Sequence, residues 1–482
     1  MLNQPTLYEL SAAGRRGIAL PDCDVDEFAL PTHLTRSEIG LPELSEQQIA
    51  RHYLRLSQCN FGVDSGLYPL GSCTMKYNPK ASEVWSRLAG LSQIHPLQDP
   101  ESVQGALELM WDLQEQLQEI SGFARVTLQP AAGAQGELTA LLMIRAYNHW
   151  RGESQRDAIL VPDSAHGTNP ASVTMAGYNA IEVPSDARGN VELAAVEAAC
   201  NDRLAGIMIT NPNTLGLFEE HIVQLVGLVH ECGGLVYGDG ANLNALTGIT
   251  RPGDLAIDLM HFNLHKTFAT PHGGGGPGSG PVGASAALAP FLPGPIVERS
   301  PCVTGAPYTY SCATPEHAIG RMVTFHGNFG MFVRAWAYLR RLGRDGLRQA
   351  AMHAVLNANY VKSALLDHYE MPFDRMCMHE FVCEGTPKPT AVRATDVSKR
   401  LMDYGFHPPT NYFPLIVKEA LMIEPTETED KATLDSFVSA MRRIAEEARE
   451  DPNVLLQAPH HTPVCRLDEV KATRDLIVTD EN

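Results

Sequence analysis

The sequence lacks the usual features of secreted and membrane-spanning proteins. Its ten cysteines include no CxxC pair, and scattered cysteines in a long chain favour reduced thiols over a disulfide framework. Its apolar runs are all shorter than the roughly 18–20 residues that cross a bilayer. The segment Met1–Pro21 has no apolar stretch behind a basic start, so no secretory signal is indicated. We therefore expect a cytoplasmic protein.

Basic charge is also scarce. Lys and Arg number 37 against 56 Asp and Glu, which gives a net charge of −19. Nucleic acids and anionic membranes bind basic surfaces, so neither is an expected partner. No metal site is expected, because the adjacent His460 and His461 would point in divergent directions on any regular element.

The composition is that of a folded protein with more than one domain. The chain has 482 residues, of which 44% are hydrophobic and 19% are charged, and this length indicates two or three domains. We predict an N-terminal arm over 1–60, a large domain over 61–330 and a smaller C-terminal domain over 331–482. A long helix predicted from Phe329 to Leu342 marks the second limit.

From about residue 103 to 285, short apolar runs alternate with helical patterns. The first pattern is an amphipathic helix over 103–120, for which Ser102 is an available N-cap. The alternation of strand and helix predicts a mainly parallel sheet covered by helices. The predicted strands are Ala158–Val161, Gly206–Ile209 and Leu235–Tyr237, and the helices include Glu192–Cys200 and His221–Cys232.

Polar residues follow each of these strands. They are Asp163–His166, Asn211–Thr214 and Asp239. Ligands of parallel α/β sheets bind beyond the carboxyl ends of the strands. The sequence therefore predicts a binding site at this edge of the sheet.

The strongest local signal surrounds Lys266. This lysine lies in the polar and aromatic string His261–Thr267, which runs into a glycine run at 273–276. A Schiff-base lysine needs an amine that is neutral part of the time, and glycine lets the backbone approach a bulky cofactor. The string predicts covalent cofactor binding by Lys266. The alternative is a surface lysine beside an ordinary flexible loop.

Asp239 and His166 add the groups that such a cofactor needs. Pyridoxal-phosphate (PLP) enzymes of the aspartate-aminotransferase type place a carboxylate against the pyridine nitrogen, which keeps the ring an electron acceptor. Asp239 is suited to that role, and the flat imidazole of His166 can stack on the outer face of the ring. The alternatives are an aspartate that caps the next helix and a structural histidine.

The string Gln129–Glu137 precedes a helix predicted over Leu138–His149. Free N–H groups and the helix dipole make such an N-terminus an anion site. We assign the phosphate of the cofactor to this turn, at Gly133, Ala134 and Gln135.

These strings together resemble a known family. The chain is similar, nearly end to end, to the P-protein of the glycine cleavage system, and specifically to the PLP-carrying subunit 2 of split glycine decarboxylase. The matching strings occur in one order, which makes a chance match negligible. They include Gly14–Gly17, Tyr68–Pro79, His95–Gln98, Ser164–Pro170, Thr210–Thr214, the lysine string, Cys377–Val382, Tyr404–Thr410 and Ile423–Glu429.

The resemblance implies a fold and a set of site residues. The fold is the PLP-dependent transferase fold of the aspartate-aminotransferase superfamily (fold type I), an α/β fold with a mainly parallel, seven-stranded-type sheet and a smaller C-terminal α/β domain. In family terms Lys266 holds the cofactor, Asp239 faces its ring nitrogen and His166 stacks on it. Further cofactor-binding residues are expected at Asn211, Asn213, Asn242 and His265, and substrate-binding residues at Ser72, Cys73, Thr74, His95 and Asn263.

The resemblance also implies a reaction and partners. Glycine loses CO2, and its aminomethyl group is transferred to the lipoyl arm of H-protein, which makes the enzyme an aminomethyl-transferring glycine dehydrogenase, an oxidoreductase. A companion subunit 1 is expected in a heterotetramer of two copies of each chain. The N-terminal arm would suit that interface.

The chain departs from the family pattern between about 285 and 320, at His326 and at Cys465. His317 lies where relatives usually have a charged segment with a lysine. These departures leave the cofactor residues intact and motivate an alternative, namely a PLP enzyme of the same fold that acts on another small amino acid without a lipoyl carrier. A third hypothesis, a non-catalytic assembly subunit, is opposed by the intact lysine string.

Overall fold

The computed structural model describes residues 4–26, 28–273, 278–302, 307–387 and 390–477. Most of the glycine run that the sequence places after Lys266 lies outside these residues. All ten cysteines are described, and the nine other than Cys302 form no disulfide in this part of the chain. In this part of the chain, no helix has both the length and the apolar character needed to cross a bilayer.

The largest element is a seven-stranded, mainly parallel sheet, as the sequence predicts. Its spatial order is β1-β7-β6-β5-β4-β2-β3. Only β7 runs antiparallel to its neighbours β1 and β6. The strands are β1 Arg125–Thr127, β2 Ala158–Pro162, β3 Asn179–Val183, β4 Leu204–Thr210, β5 Leu235–Asp239, β6 Leu259–His261 and β7 Val282–Ala284.

Both faces of this sheet are covered, which explains why its central strands read as continuous apolar runs. Every residue of β2, β4 and β5 is buried. Because alternate side chains point to opposite faces, Ile207 packs in one hydrophobic cluster and Met208 in another.

Fourteen α-helices lie in the described residues. They are α1 Glu46–Gln58, α2 Lys80–Ser86, α3 Ala89–Ser92, α4 Gln104–Ser121, α5 Gly133–Trp150, α6 Thr168–Met175, α7 Leu193–Ala199, α8 Ile222–Glu231, α9 Leu264–Thr267, α10 Phe329–Leu365, α11 Ala394–Asp403, α12 Lys431–Glu450, α13 Asn453–Leu456 and α14 Glu469–Arg474. Short 3-10 helices lie at Thr32–Leu34, Pro100–Val103, Gly240–Ala245, Pro252–Leu255 and Ala289–Phe291.

Three helix predictions differ appreciably from the structure. The helix predicted over Leu138–His149 begins earlier, at Gly133, so the end of the string Gln129–Glu137 forms its first turn. Ser102 is not the N-cap of α4, because it lies inside the 3-10 turn Pro100–Val103, and Val103 precedes α4 without a side-chain cap. The helix predicted to end at Leu342 continues to Leu365. Gly343 interrupts it with φ of 61°, a conformation that glycine adopts at little cost, and the helical pattern then resumes.

The C-terminal part has its own small sheet and core. The strands β10 Phe381–Glu384, β11 Thr410–Asn411 and β12 Ala420–Ile423 form an antiparallel sheet in the order β10-β12-β11. A separate hydrophobic cluster forms here, with Val361 of α10, Leu401 of α11 and Phe437 of α12 among its members. The domain limits at 60 and 330 stay predictions.

A hairpin and a loop complete the architecture. The hairpin consists of β8 Ile296–Pro301 and β9 Tyr308–Ala313. The loop is residues 70–76, called here the substrate loop because it contains three of the predicted substrate residues. It adjoins the small sheet, where Leu70 bridges Ile423 and the Gly71 N–H donates to the Met422 carbonyl at 3.3 Å. A side chain at Gly71 would collide with Met422.

Lys76, at the end of the substrate loop, should contribute strongly to stability. Its Nζ lies 2.6 Å from Glu427 Oε1, 2.6 Å from Asn244 Oδ1 and 3.0 Å from the Thr267 carbonyl. We expect Lys76→Met to lower the free energy of unfolding by about 3–5 kcal/mol, because it leaves the Glu427 carboxylate buried without its cation. Urea denaturation of the purified variant measures this loss.

Lys431→Met is the matched control. Lys431 pairs with Asp435 at the same 2.6 Å, but these side chains are 72% and 47% exposed, against 1% and 8% for Lys76 and Glu427. An exposed pair contributes at most about 1 kcal/mol. Equal losses in the two variants would contradict the assignment.

Candidate active site

Three consecutive elements bring the predicted cofactor residues together at one edge of the large sheet. β5 ends at Asp239, β6 ends at His261, and α9 carries Lys266 directly afterwards. Lys266 lies close enough for its charge to act on Asp239 and on His166. The side chain is half-buried, and no described residue hydrogen bonds to its Nζ.

Asp239 is buried and held by several donors. One oxygen accepts the N–H of Ala241 at 2.9 Å, and the other accepts Asn169 Nδ2 at 3.1 Å. Burial alone would raise the pKa of Asp239, but His261, whose Nε2 lies 3.7 Å away, and the two hydrogen bonds hold it below its ordinary value. The residue is thus a fixed anion at neutral pH, with lone pairs left for a cationic partner.

His166 belongs to a hydrogen-bonded chain that reaches the same carboxylate. Its Nδ1 lies 3.0 Å from Thr168 Oγ1, which donates to Glu137 Oε1 at 2.8 Å. The other Glu137 oxygen accepts Asn169 Nδ2 at 3.0 Å, and Asn169 also donates to Asp239. Burial lowers the pKa of His166, so the ring is neutral. A neutral imidazole of fixed orientation is suited to stacking on an aromatic ring.

Sequence reasoning missed two members of this site. Glu137 was part of the string before α5 but received no role, although it joins His166 to Asp239. His261 bridges Tyr237 and Asn263, with its Nδ1 2.5 Å from the Tyr237 hydroxyl and its Nε2 3.3 Å from Asn263 Oδ1. The signal available for both was their position, one at a helix start and one at a strand end beside Lys266.

The turn before α5 approaches the same edge. A Cβ at Gly133 would lie 2.5 Å from Asn263 Nδ2, so a larger residue there would displace the Asn263 side chain. Helix α5 begins at Gly133, and Ala132 provides no side-chain cap, which leaves its first N–H groups without a capping partner. Ala134 is exposed, and Gln135 Oε1 accepts the Ala131 N–H at 2.6 Å. The turn is thus open to an anion.

The other predicted cofactor residues lie around this edge, and they differ in how many of their polar atoms already have hydrogen-bond partners. Asn213 uses both polar atoms to fold its own turn, because Nδ2 donates to the Gly189 carbonyl and Oδ1 accepts two N–H groups. Asn211 Nδ2 and Asn242 Oδ1 are buried without a partner. His265 accepts the Ser279 N–H at 3.2 Å, and burial lowers its pKa to about 3.

The predicted substrate residues divide into two groups. Ser72, Cys73 and Thr74 lie in the substrate loop, and Cys73 is near enough to Lys266 for their charges to interact. Burial raises the pKa of the Cys73 thiol to about 11, so it is a neutral thiol. Asn263 is buried beside His261.

His95 stands apart from that group. It is exposed, accepts the Leu97 N–H at 3.1 Å and packs edge-on against Phe325. Within the described residues, its hydrogen bonds reach none of the other predicted site residues. Its substrate role stays a prediction.

The departures from the family pattern lie mainly on the hairpin β8–β9 and just after it. The hairpin packs on α4, where Gln104 Nε2 donates to the Tyr310 carbonyl and Gln114 Nε2 to the Val297 carbonyl. His317 lies in an aromatic group with Trp150 and Phe291. His326 Nε2 lies 3.3 Å from the Pro96 carbonyl.

Comparison with known sequences gives full-length matches. The family described as "Glycine dehydrogenase, C-terminal domain" matches residues 350–460. A "Probable glycine dehydrogenase (decarboxylating) subunit 2" from Caldanaerobacter subterraneus is 54% identical over 478 residues, which cover 98% of each chain. A protein of the same description from Bacillus cytotoxicus is 53% identical over 99% of this chain and 97% of its own.

Comparison with solved structures gives the fold. A glycine decarboxylase (P-protein) of the glycine cleavage system, solved in inhibitor-bound form, superposes with a TM-score of 0.73 at 20% identity, covering 86% of this chain and 93% of that one. A sphingosine-1-phosphate lyase from Burkholderia pseudomallei gives 0.63 at 15% identity, with coverage of 89% and 94%. A glutamate decarboxylase from Lactobacillus brevis gives 0.63 at 14% identity, with coverage of 89% and 96%.

Proposed function

Because the chain belongs to the family of glycine dehydrogenase (decarboxylating) subunit 2, we propose that it decarboxylates glycine with PLP held on Lys266, as one subunit of a two-component enzyme. The observation that carries this proposal is the full-length identity of 53–54%, joined to the convergence of Lys266, Asp239 and His166 at one sheet edge. The fold is the PLP-dependent transferase fold of type I that the sequence predicts.

The residues present fit PLP. The free amine of Lys266 would hold the aldehyde carbon, Asp239 would face the ring nitrogen and His166 the ring. The uncapped start of α5 at Gly133 would take the phosphate. The unpartnered Nδ2 of Asn211 and the Oγ of Ser279 are buried polar atoms near this edge, and such atoms ordinarily have a partner.

The chemistry divides between the cofactor and the protein. PLP, when bound, supplies the acceptor for the electron pair that CO2 leaves behind on the Cα of glycine. Asp239 stays ionised in its buried setting and stabilises positive charge opposite it. Lys266 Nζ can give or take a proton at the glycine Cα. The buried walls of Asn263 and His261 exclude water, which strengthens these electrostatic interactions.

We propose that the aminomethyl group passes to the oxidised lipoyl arm of H-protein. In that step a carbon–sulfur bond forms, the lipoyl disulfide breaks, and the second sulfur takes a proton to become a thiol. The disulfide is reduced as the carboxyl carbon of glycine leaves as CO2. No further oxidant is needed, so electrons and atoms balance.

A companion subunit 1 and a heterotetramer of two copies of each chain belong to the same proposal. The relatives are described as "subunit 2", which supports a companion. The N-terminal segment supports it physically, since Ile18, Leu20 and Phe28 are 76%, 82% and 86% exposed. Apolar side chains on an extended segment gain stability when a partner covers them. The scattered cysteines, of which nine form no disulfide, favour a cytoplasmic location for this assembly.

Exchange of labelled bicarbonate into the carboxyl group of glycine tests the function. We expect exchange in a mixture of this chain, its companion subunit and lipoylated H-protein, and none when this chain is omitted. Alanine in place of glycine serves as the control substrate. A chain that carries PLP but shows no exchange in the complete mixture would retain the fold and exclude glycine, which would favour another small amino acid.

A further inference from the structure

Three carboxylates of the C-terminal part hold the substrate loop at alternate residues. Glu380 Oε2 accepts the Ser72 N–H at 2.7 Å, and Glu424 Oε2 accepts the Thr74 N–H at 2.9 Å. Glu427 pairs with Lys76. Glu380 and Glu424 are completely buried, which is rare for a carboxylate unless it has a specific partner. The cofactor and substrate roles described above do not explain why these two buried acids face one loop.

The loop needs to be held. Ser72 and Thr74 have φ of 65° and 47°, in the left-handed region that non-glycine residues adopt only when their surroundings enforce it. Both strained residues donate their N–H to a buried carboxyl group. Cys73 lies between them, close enough to Lys266 for their charges to interact. The two hydrogen bonds thus enforce the conformation that presents Cys73 to the active site.

The hydrogen bonds assign different protonation states to the two acids. Both Glu380 oxygens accept from N–H donors, since Oε1 also accepts Asn242 Nδ2 at 3.0 Å. A proton on either Glu380 oxygen would place an O–H donor against the N–H donor of Ser72 or Asn242. Glu424 uses only Oε2, and its Oε1 is buried without a partner, 3.7 Å from His379 Nε2. A proton has room on Glu424 and not on Glu380.

The surrounding charges agree with one proton on the pair. Burial raises the pKa of Glu424 to about 7, and burial together with the neighbouring Glu424 charge raises the pKa of Glu380 well above its ordinary value. These shifts favour one proton on the pair but do not place it on Glu424, and that placement rests on the hydrogen bonds alone. The ionisable groups that face the pair are Lys266, Lys76, Cys73 and His379. Burial lowers the pKa of His379 to about 3, so its ring adds no positive charge, and only the two lysines offset the acids.

We propose that Glu380 and Glu424 are positioning residues for the substrate loop, with Glu380 as an anionic acceptor and Glu424 as a neutral acid that together fix Cys73 beside Lys266. This inference rests on the proposed function for its catalytic consequence. Its structural consequence, the placement of Cys73, is independent of the substrate.

The isosteric variants E380Q and E424Q should therefore behave differently. An amide at 380 turns an NH2 group toward either the Ser72 N–H or Asn242 Nδ2, and we expect kcat/KM for bicarbonate exchange to fall about 10- to 100-fold. An amide at 424 mimics the protonated acid, with its oxygen toward Thr74. We expect E424Q to lower kcat/KM by no more than about threefold below pH 7.

Alkylation of Cys73 supplies a readout that needs neither glycine nor cofactor. In the full chain without PLP, iodoacetamide labelling of the Cys73 peptide, followed by mass spectrometry, should be about tenfold faster in E380Q than in wild type, because local opening of the substrate loop exposes this half-buried thiol further. E424Q should label at the wild-type rate. Altered labelling without any glycine exchange would mean that the function proposal fails while this inference holds.

The pH profile keeps the inference testable if E380Q does not fold. In wild type, kcat/KM should decline as pH rises through the pKa of Glu424, because a second buried anion then forms beside Glu380. E424Q cannot ionise there and should lose that decline. A decline that persists in E424Q, or a loss in E424Q equal to that in E380Q, would overturn the assignment. The assignment would also be overturned if the purified wild-type chain contained one divalent metal ion and the E424Q variant contained none.

Discussion

Replacing Lys266 by alanine is expected to eliminate the visible absorbance of lysine-bound PLP and to lower glycine–bicarbonate exchange by about 10⁴-fold or more. The expected size combines loss of covalent attachment with loss of a proton-transfer group, which alone contributes about 10²- to 10⁴-fold. Lys266 is the half-buried amine at the centre of the site, and its α9 position follows the end of β6 directly. Absorbance and exchange are measured on the same preparation.

Two further variants make the Lys266 result specific. Lys266→Arg keeps the positive charge, but a guanidinium does not lose its proton in a protein, so it should be as inactive as the alanine variant. The exposed Lys418 provides a control, and Lys418→Ala should keep both absorbance and exchange. Activity in Lys266→Arg would show that charge, rather than a reactive amine, is what the site requires.

The sequence predicted the large sheet well because its physical causes are local. Continuous burial of β2, β4 and β5 leaves uninterrupted apolar runs, and polar residues begin where each strand leaves the core. Asp239 and the polar residues that follow the other predicted strands could thus be placed at one edge from pattern alone. Helix limits were less accurate, because Ser102 lies inside a 3-10 turn instead of capping α4, and Gly343 bends α10 without ending it.

The residues that sequence reasoning missed act through distant partners. Glu380 and Glu424 contact Ser72 and Thr74 across 308 and 350 positions, and no periodicity reports such a contact. Glu137 joins His166 to Asp239 only after α5 and α6 have packed together. In the sequence, a glutamate whose hydrogen-bond donors lie far away along the chain cannot be distinguished from a surface glutamate. Only the fold brings the donors to it. The family resemblance predicted the residues that bind the cofactor, but the contacts of Glu380, Glu424 and Glu137 could be recognised only in the folded structure.

Asp239→Asn is expected to retain bound PLP and to lower kcat for exchange about 100- to 1,000-fold. The amide is close in shape and keeps one oxygen to accept from Asn169 or the Ala241 N–H, so folding and cofactor binding should persist. It carries no charge to stabilise a protonated ring nitrogen, and removal of one preorganised electrostatic group typically has a cost of this size. The retained visible absorbance, measured beside kcat, separates this role from a structural one.

Asp258→Asn is the matched control, because the two aspartates have similar contacts at opposite ends of the sheet. Asp258 accepts the Val236 N–H at 2.8 Å and lies 2.7 Å from His230 Nε2, next to the amino ends of β5 and β6. Asp239 has a backbone donor and a histidine at their carboxyl ends. If the cost comes from lost carboxylate hydrogen bonds in general, both variants should lose activity. If it comes from the anion opposite the cofactor, Asp258→Asn should keep kcat within about threefold while Asp239→Asn does not.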